Sequence, residues 1–172
     1  MTTTTVTGRK ETRQGLDHLV LTRTFTAPVA DVWAAITEPE RLARWIGSWS
    51  GDPAEGRVTF QMLYEGDEMP AEDFVIDECT PPSRLLITTT SPHEDGTPMT
   101  WQLGLELAET DGITTLQFSQ SVPDPSMAEG VGPGWEYYLD RMVAAETGAD
   151  VATIQFEDYY PALSQQYREI FE

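Results

Sequence analysis

The stretch Pro28–Gly47, "PVADVWAAITEPERLARWIG", decides how this chain is read. It places Trp33 and Trp45 in one short helical segment, directly after a strand and directly before a turn. Pro28 suits the first turn of a helix, where a missing N–H costs little, and Asp31 favours the positive helix start. Val32, Trp33 and Ile36 form one apolar stripe. Thr37 and Glu40 have the spacing of a capping box, so a second short helix is expected there. It would carry Leu42 and Trp45, and Gly47 can end it. The segment reads as a helix-turn-helix insertion lying across something apolar.

Upstream, "HLVLTRTFTA" puts Leu19, Leu21, Arg23 and Phe25 on one parity and Thr22, Thr24 and Thr26 on the other, a strand of period two. Downstream come strand-like runs at short intervals. "RVTFQMLYEG" alternates Val58, Phe60, Met62 and Tyr64. "EDFVIDEC" and "RLLITTTS" are separated by the stiff turn Thr80-Pro81-Pro82-Ser83. "MTWQLGLELAE" alternates Trp101, Leu103, Leu105 and Leu107 against Gln102, Gly104 and Glu106. "TDG" marks a hairpin, and "ITTLQFSQSV" returns. Consecutive strands with short turns predict an antiparallel meander with one apolar face that must be covered. The cover is "GVGPGWEYYLDRMVAAETG", in which Trp135, Tyr138, Leu139, Met142 and Val143 fall at helical spacing. The "GVGPG" run before it reads as a flexible hinge. In "FEDYYPALSQQYREIFE", Leu163, Tyr167, Ile170 and Phe171 lie near one side of a terminal amphipathic helix. The fold class is therefore α+β. A sheet of about six strands carries two short helices after strand 1 and a long helix near the C-terminus.

Three parts are expected: a disordered polar tail over 1–17, a domain over 18–148, and an extension over 149–172. The tail is Thr-rich and holds Arg9, Lys10 and Arg13. The 172 residues carry a net charge of -19. Nucleic acid and anionic lipid repel such a surface, so neither is an expected partner. Nine arginines against the single Lys10 fit a GC-rich or salt-adapted source. The single cysteine, Cys79, excludes an internal disulfide framework and points to a reducing cytoplasm. The N-terminus has no apolar h-region, and no run of about 18 apolar residues occurs.

Several of these motifs, in this order, resemble the helix-grip fold of the birch-pollen-allergen-like superfamily, also called START-like or SRPBCC. "FTAPVADVWAAITEPERLARWIG" looks like its entry motif, and "IDECTPPSRLLITT" like its Pro-Pro-x-x-Leu strand turn. "TTLQFSQSV" is similar to its penultimate strand, and "GWEYYLDRM" to its closing helix. The likeness covers roughly residues 18–148 and is to the branch named after the activator of heat-shock protein 90 ATPase, bacterial members included. It implies a curved sheet gripping the long helix, with a cavity between them closed at one end by the two short helices. Trp33 would wedge that lid to the sheet, with Trp45 and Trp49 near the cavity mouth. Burying one Trp removes roughly 150–250 Å² from water, several kcal/mol as an upper bound.

The expected cavity wall comprises Trp45, Trp49, Phe60, Met62, Tyr64 and Trp101, then Leu103, Phe118, Trp135, Tyr138 and Met142. The competing reading of that set is an ordinary packed core. Polar anchor candidates are Arg23, Glu78 and Gln102. Arg23 shares parity with Leu21 and Phe25, so it can point inward, to Glu78, to a ligand carboxylate or to a structural ion pair. Glu78 shares parity with Phe74 and Ile76. Gln102 and Gln120 can face a ligand or the outer surface. His18 and His93 have no His or Cys neighbour at ligand spacing, so no metal and no cofactor is expected. Carboxylate pairs such as Glu65/Asp67/Glu68 read as solvated charge. No nucleophile elbow or phosphate loop occurs.

The first functional reading is a non-catalytic carrier or sensor for a small apolar or aromatic molecule. A cyclase- or dehydratase-like enzyme is the alternative, and it requires Arg23, Glu78, Gln102 and Tyr138 to converge in the cavity. A protein-interaction module is the third. A chaperone is not an expected partner, because the separate N-terminal domain of a full co-chaperone activator is missing. The terminal helix is a candidate surface for a homodimer.

Overall fold

The structure is a computed structural model and describes residues 5–64, 71–92 and 98–172. Expectations for His93 and for Glu65, Asp67 and Glu68 lie outside the described residues. Eight strands form one curved antiparallel sheet. They are β1 (Arg9–Arg13), β2 (Leu16–Phe25), β3 (Gly47–Ser50), β4 (Arg57–Met62), β5 (Glu72–Thr80), β6 (Arg84–Pro92), β7 (Pro98–Thr110) and β8 (Ile113–Ser121). Their order is β1-β2-β8-β7-β6-β5-β4-β3. Four helices accompany them: α1 (Val29–Thr37), α2 (Pro39–Leu42), α3 (Ala128–Thr147) and α4 (Ser164–Phe171). The helix-grip arrangement expected from the sequence is present, with two strands more than expected.

Both extra strands were hidden for physical reasons. β1 is polar throughout, so it lacks an apolar alternation, yet it pairs with β2 across the two-residue turn Gln14-Gly15. Both turn residues have positive φ, 52° and 80°, which matches the twist of a tight hairpin. The polar tail expected over 1–17 is thus a paired edge strand from Arg9 onward, and its charged side chains suit an unpaired outer edge. β3 is only four residues long. It begins at Gly47, which was expected to end a helix. A Cβ at Gly47 would meet the Gln61 carbonyl and the Phe60 ring, so the glycine permits a close strand approach. The expected Asp111-Gly112 hairpin joins β7 to β8, again with both φ values positive.

The two short helices form, but not by the expected cap. The Thr37 hydroxyl donates to the Trp33 carbonyl, and Glu38 precedes α2 with no side-chain cap bond. The first turn of α1 is capped from a distance, where the Glu109 carboxylate accepts from the Val29 N–H at 2.6 Å.

Helix α3 starts earlier than expected and absorbs the "GVGPG" run, which is helical rather than a hinge. One of its glycines, Gly132, has a packing reason. A Cβ at Gly132 would enter the ring of Tyr167, the fully buried centre of α4. Pro133 cannot donate to the Glu129 carbonyl, and the Ser164 hydroxyl of α4 donates to it at 2.8 Å instead. Leu163, Tyr167 and Phe171 are buried here, so the segment expected as an extension completes the core. The apolar stripe of α4 packs inside the molecule, in the same core as α3.

Glu136 on α3 is 0 % exposed. It accepts from the Thr7 N–H (2.6 Å) and the Thr7 hydroxyl, from the Tyr167 hydroxyl (2.6 Å) and from Arg23 (2.9 Å). Burial alone would raise the pKa of this carboxyl, but the hydrogen bonds from Thr7, Tyr167 and Arg23 outweigh it and hold it below the ordinary range. The same burial and the facing Glu136 charge push the Tyr167 phenol up. Burial and the hydrogen bond to Asp140 do the same to Tyr159.

Two outcomes follow for stability. Gly132→Ala is expected to cost about 2 kcal/mol by overpacking, more than the roughly 1 kcal/mol that alanine gains in a helix. Gly134→Ala, with open space at its Cβ, is expected to stabilise by about 0.5–1 kcal/mol. Urea midpoints of the two variants check the pair, and equal effects would refute the slot for Tyr167. The second outcome concerns acid. A depressed carboxyl contributes stability above its ordinary value and loses it as pH falls through its folded value. The Tm difference between the wild type and Glu136→Gln is therefore expected to be constant above about pH 4.5 and to shrink below it, the ordinary value of the group being 4.5.

Candidate functional site

The concave face of the sheet is set by strand parity. Leu85 and Ile87 on β6, Leu103 and Leu105 on β7, and Phe118 on β8 point to one side. α3 crosses this face with Trp135 and Leu139, and α1 and α2 close one end with Trp33, Ile36, Leu42 and Trp45. Between them lies a cavity of about 240 Å³. Phe60 of β4 and Phe74 of β5 stack flat against each other at 4.8 Å between ring centroids and form its far wall. Cys79 and Pro53 are exposed yet also line the cavity, so they mark its mouth.

Three of the four tryptophans that line the cavity spend their indole N–H on the protein. The Trp45 indole N–H donates to the Ala35 carbonyl at 3.3 Å, and that of Trp49 to the Thr37 carbonyl at 2.7 Å. Trp135 donates to the Gln120 side chain and packs on Phe118 with centroids 4.1 Å apart. These bonds leave the rings presenting apolar surface while fixing their orientation. They also make the lid rigid, since Trp45 and Trp49 both bond back to the backbone around α1.

Two arginines fasten the lid to α3. Arg41 of α2 pairs with Glu146 of α3 and, at 3.0 Å, with Asp31 of α1. Arg141 of α3 is only 6 % exposed and donates to the Trp45 carbonyl at 2.9 Å and to the Tyr137 hydroxyl at 3.3 Å. Its guanidinium lies 4.0 Å from the Tyr64 ring centroid and 5.3 Å from that of Tyr137. Neither arginine stood out in the sequence, because each meets partners roughly 100 residues away.

Of the expected wall, Trp45, Trp49, Phe60, Leu103, Phe118 and Trp135 line the cavity. The other five do not. Tyr64 is exposed, with its hydroxyl on the Ala43 carbonyl. Met62 is half-buried on β4 beside Gly47, and Trp101 half-buried on β7. Tyr138 and Met142 are buried in the core. Trp33, Ile36, Leu85 and Ile87, absent from the expected set, do line it. Their parity was legible, but parity cannot tell wall from filling.

None of the three anchor candidates reaches the cavity. Arg23 does point inward, but it meets Glu136 and Asp140 of α3, at 2.9 and 3.1 Å, rather than Glu78. A bulge between Ile76 and Glu78 reverses the parity of β5. Cys79 therefore faces the cavity, and Glu78 pairs with Arg84 on the other side. Gln102 is exposed on the outer face opposite Thr88. The four groups required for a cyclase site do not converge. His18 is buried at the start of β2, its Nδ1 3.0 Å from the Leu16 carbonyl oxygen. Among the described residues, no cluster of three His, Cys, Asp or Glu could hold a metal, and no helix is long and apolar enough to cross a membrane.

In comparisons with known proteins, residues 26–146 match the model of a family described as Activator of Hsp90 ATPase homolog 1-like protein. No curated protein sequence matches the chain. Among solved structures, the chain is similar to CalU16 from Micromonospora echinospora. The identity is 25%, with 97% of this chain and 94% of that one covered and a TM-score of 0.69. It is also similar to DynU16, a protein in the dynemicin biosynthetic locus, at 27% identity over 78% of this chain and 49% of that one (TM-score 0.63). MLL2253 from Mesorhizobium loti shares the fold at 22% identity, over 77% of this chain and 98% of that one (TM-score 0.66).

The lid fastening has a measurable consequence. Arg141→Met removes two charge-assisted bonds and both ring contacts, and is expected to cost about 2–3 kcal/mol. Faster hydrogen exchange confined to residues 42–46 would mark the loss as local to the lid. Uniform acceleration across the sheet would count against Arg141 as a lid clamp.

Proposed function

The chain belongs to the Activator of Hsp90 ATPase homolog 1-like family, and from that premise we propose that it is a cytoplasmic carrier or sensor that holds a small, uncharged, largely apolar molecule between sheet and long helix. The observation that carries this reading is the cavity itself. Its wall is built almost wholly from aliphatic and aromatic side chains, and the indole N–H groups of three wall tryptophans are already bonded within the protein. Pockets of this kind bind by burial, with few polar contacts to orient the ligand. An apolar cavity of about 150 Å³ takes a benzene molecule, so about 240 Å³ suits one or two fused rings or a short acyl chain.

The likeness to a protein in the dynemicin biosynthetic locus supports a role among small molecules. A cyclase-like reaction has less support. General acid–base work needs a titratable group held in the cavity, and Arg23, Glu78, Gln102 and Tyr138 all lie elsewhere.

Thermal unfolding with a panel of naphthalene, tetralin and short acyl esters tests the proposal. At a ligand concentration about a hundredfold above Kd, stabilisation of about 2.7 kcal/mol is expected, or roughly 5–10 °C in Tm for a chain of this size. Leu103→Trp, which fills the cavity, is expected to keep the fold and abolish the shift. A panel that shifts nothing, or a shift that survives Leu103→Trp, would overturn the proposal.

A further inference from the structure

We propose that the stacked pair Phe156 and Tyr160 is a docking point for a flexible, arginine-bearing segment of another protein. The inference does not depend on the cavity, which neither ring lines.

Both rings stand on the connection between α3 and α4, and the backbone there fixes them. The Phe156 carbonyl accepts from the Tyr159 N–H at 2.9 Å and from the Tyr160 N–H at 3.0 Å. Tyr159 is buried and donates its hydroxyl to Asp140 of α3 at 2.6 Å. The turn is thereby pinned to α3, while Phe156 and Tyr160 stay 41 % and 44 % exposed. Their centroids are 5.7 Å apart and their planes 16° from parallel. Phe156 also meets the Tyr137 ring of α3 edge-on, at 5.3 Å. Aromatic rings held rigid at a surface suit an interface, because they bury a large area and lose little conformational freedom on binding.

The chemistry of the occupant follows from charge. Glu157 and Asp158 fall between the two rings in sequence, and both are exposed and, among the described residues, without an ion pair. The 26 residues between Arg141 and Arg168 hold four carboxylates and no basic side chain. A partner that covers this face therefore has to bring its own cations. Arginine meets both demands, since its planar guanidinium stacks on an aromatic face and donates to carboxylates. The chain makes the same kind of contact one step inward. There the Arg141 guanidinium lies 4.0 Å from the Tyr64 ring centroid and 5.3 Å from that of Tyr137, the ring that Phe156 touches. Nucleic acid and anionic lipid are repelled by this surface. A second copy brings the same net charge of -19, and in the basic run of β1 both Arg9 and Arg13 are already paired with Glu11. The occupant that fits is a cationic polypeptide of a different protein.

Fluorescence anisotropy tests this with a labelled peptide of three Arg-Pro-Gly repeats and a Lys-Pro-Gly peptide of equal charge, both at low ionic strength. The wild type is expected to bind the arginine peptide roughly threefold more tightly than the lysine peptide, the worth of a stacking planar cation over a point charge. Phe156→Leu with Tyr160→Leu keeps apolar bulk and removes both π faces. It is expected to weaken the arginine peptide by roughly five- to tenfold and the lysine peptide less. Tyr160→Leu alone leaves the Phe156–Tyr137 contact in place and is expected to weaken the arginine peptide by about two- to threefold with the Tm unchanged. Glu157→Gln with Asp158→Asn is expected to weaken both peptides and to flatten their salt dependence. Failure of the wild type to bind the arginine peptide overturns the proposal. Equal binding of the two peptides also overturns it, because net charge alone would then explain the affinity. So does binding that both aromatic variants leave unchanged, which would put the peptide elsewhere on the acidic surface.

Discussion

A carboxylate with no solvent exposure holds this structure together. Glu136 sits in the middle of α3 and receives hydrogen bonds from the N-terminal segment, from β2 and from α4. Removing a charge from water is costly, and only several well-placed donors make it tolerable. Thr7, Arg23 and Tyr167 supply them, and the three come from parts of the chain up to 160 residues apart. The need to satisfy one ion therefore dictates where both chain ends lie. It also explains why the N-terminal residues, polar and apparently unstructured by composition, belong to the folded unit. Tyr167 reaches the carboxylate only because Gly132 leaves space for its ring and Gly8 for its hydroxyl. A glycine-rich run that looks like a hinge is in fact a fitted slot.

With α3 held at that point, the geometry of the cavity follows. The helix packs over β2 and β8, through Arg23, Phe118 and Gln120, and leaves space toward β4 and β5. The insertion of α1 and α2 closes that space without filling it. Large aromatic side chains suit this task, because each spans the gap with two rotatable bonds and can be fixed by a single indole hydrogen bond. Arg41 and Arg141 then secure the lid to the same helix that Glu136 anchors. The lid, the helix and both termini are thus parts of one connected frame, and the open volume is what that frame leaves between them.

Much of this was legible in the sequence, and the failures have identifiable causes. Period-two alternation located the five longer meander strands and β2, and helical spacing located α3 and α4. The Pro28–Gly47 stretch correctly announced a lid. β1 was not legible because an edge strand needs no apolar face, and its signal was confined to Gln14-Gly15. Glu78 was placed on the wrong face because one extra residue, the bulge at Asp77, reverses the parity of everything after it. Parity gave the right direction for Arg23 and the wrong partner, since pairing depends on which helix turn arrives above it. For the cavity, six of eleven expected wall residues were right. Tyr138 and Met142 share the apolar stripe of α3 with Trp135. Which turns of a helix lie over empty space is a matter of tertiary packing that spacing does not encode.

The same frame bears on what the cavity can do. A site for chemistry keeps a titratable group poised in a dry environment, with its pKa moved toward the working range. Here Glu136, Tyr159 and Tyr167, shifted by burial and their hydrogen bonds, are all spent on the joint between α3, α4 and the N-terminal segment, and none lines the cavity. Desolvation has been used for assembly on one side of α3 and for apolar volume on the other. A wall of hydrocarbon and committed indoles holds water poorly, because a water molecule needs two or more polar partners to stay. A ligand entering such a space has little water to displace at a loss and few polar groups to satisfy. Its affinity is set by how well its shape fills the volume.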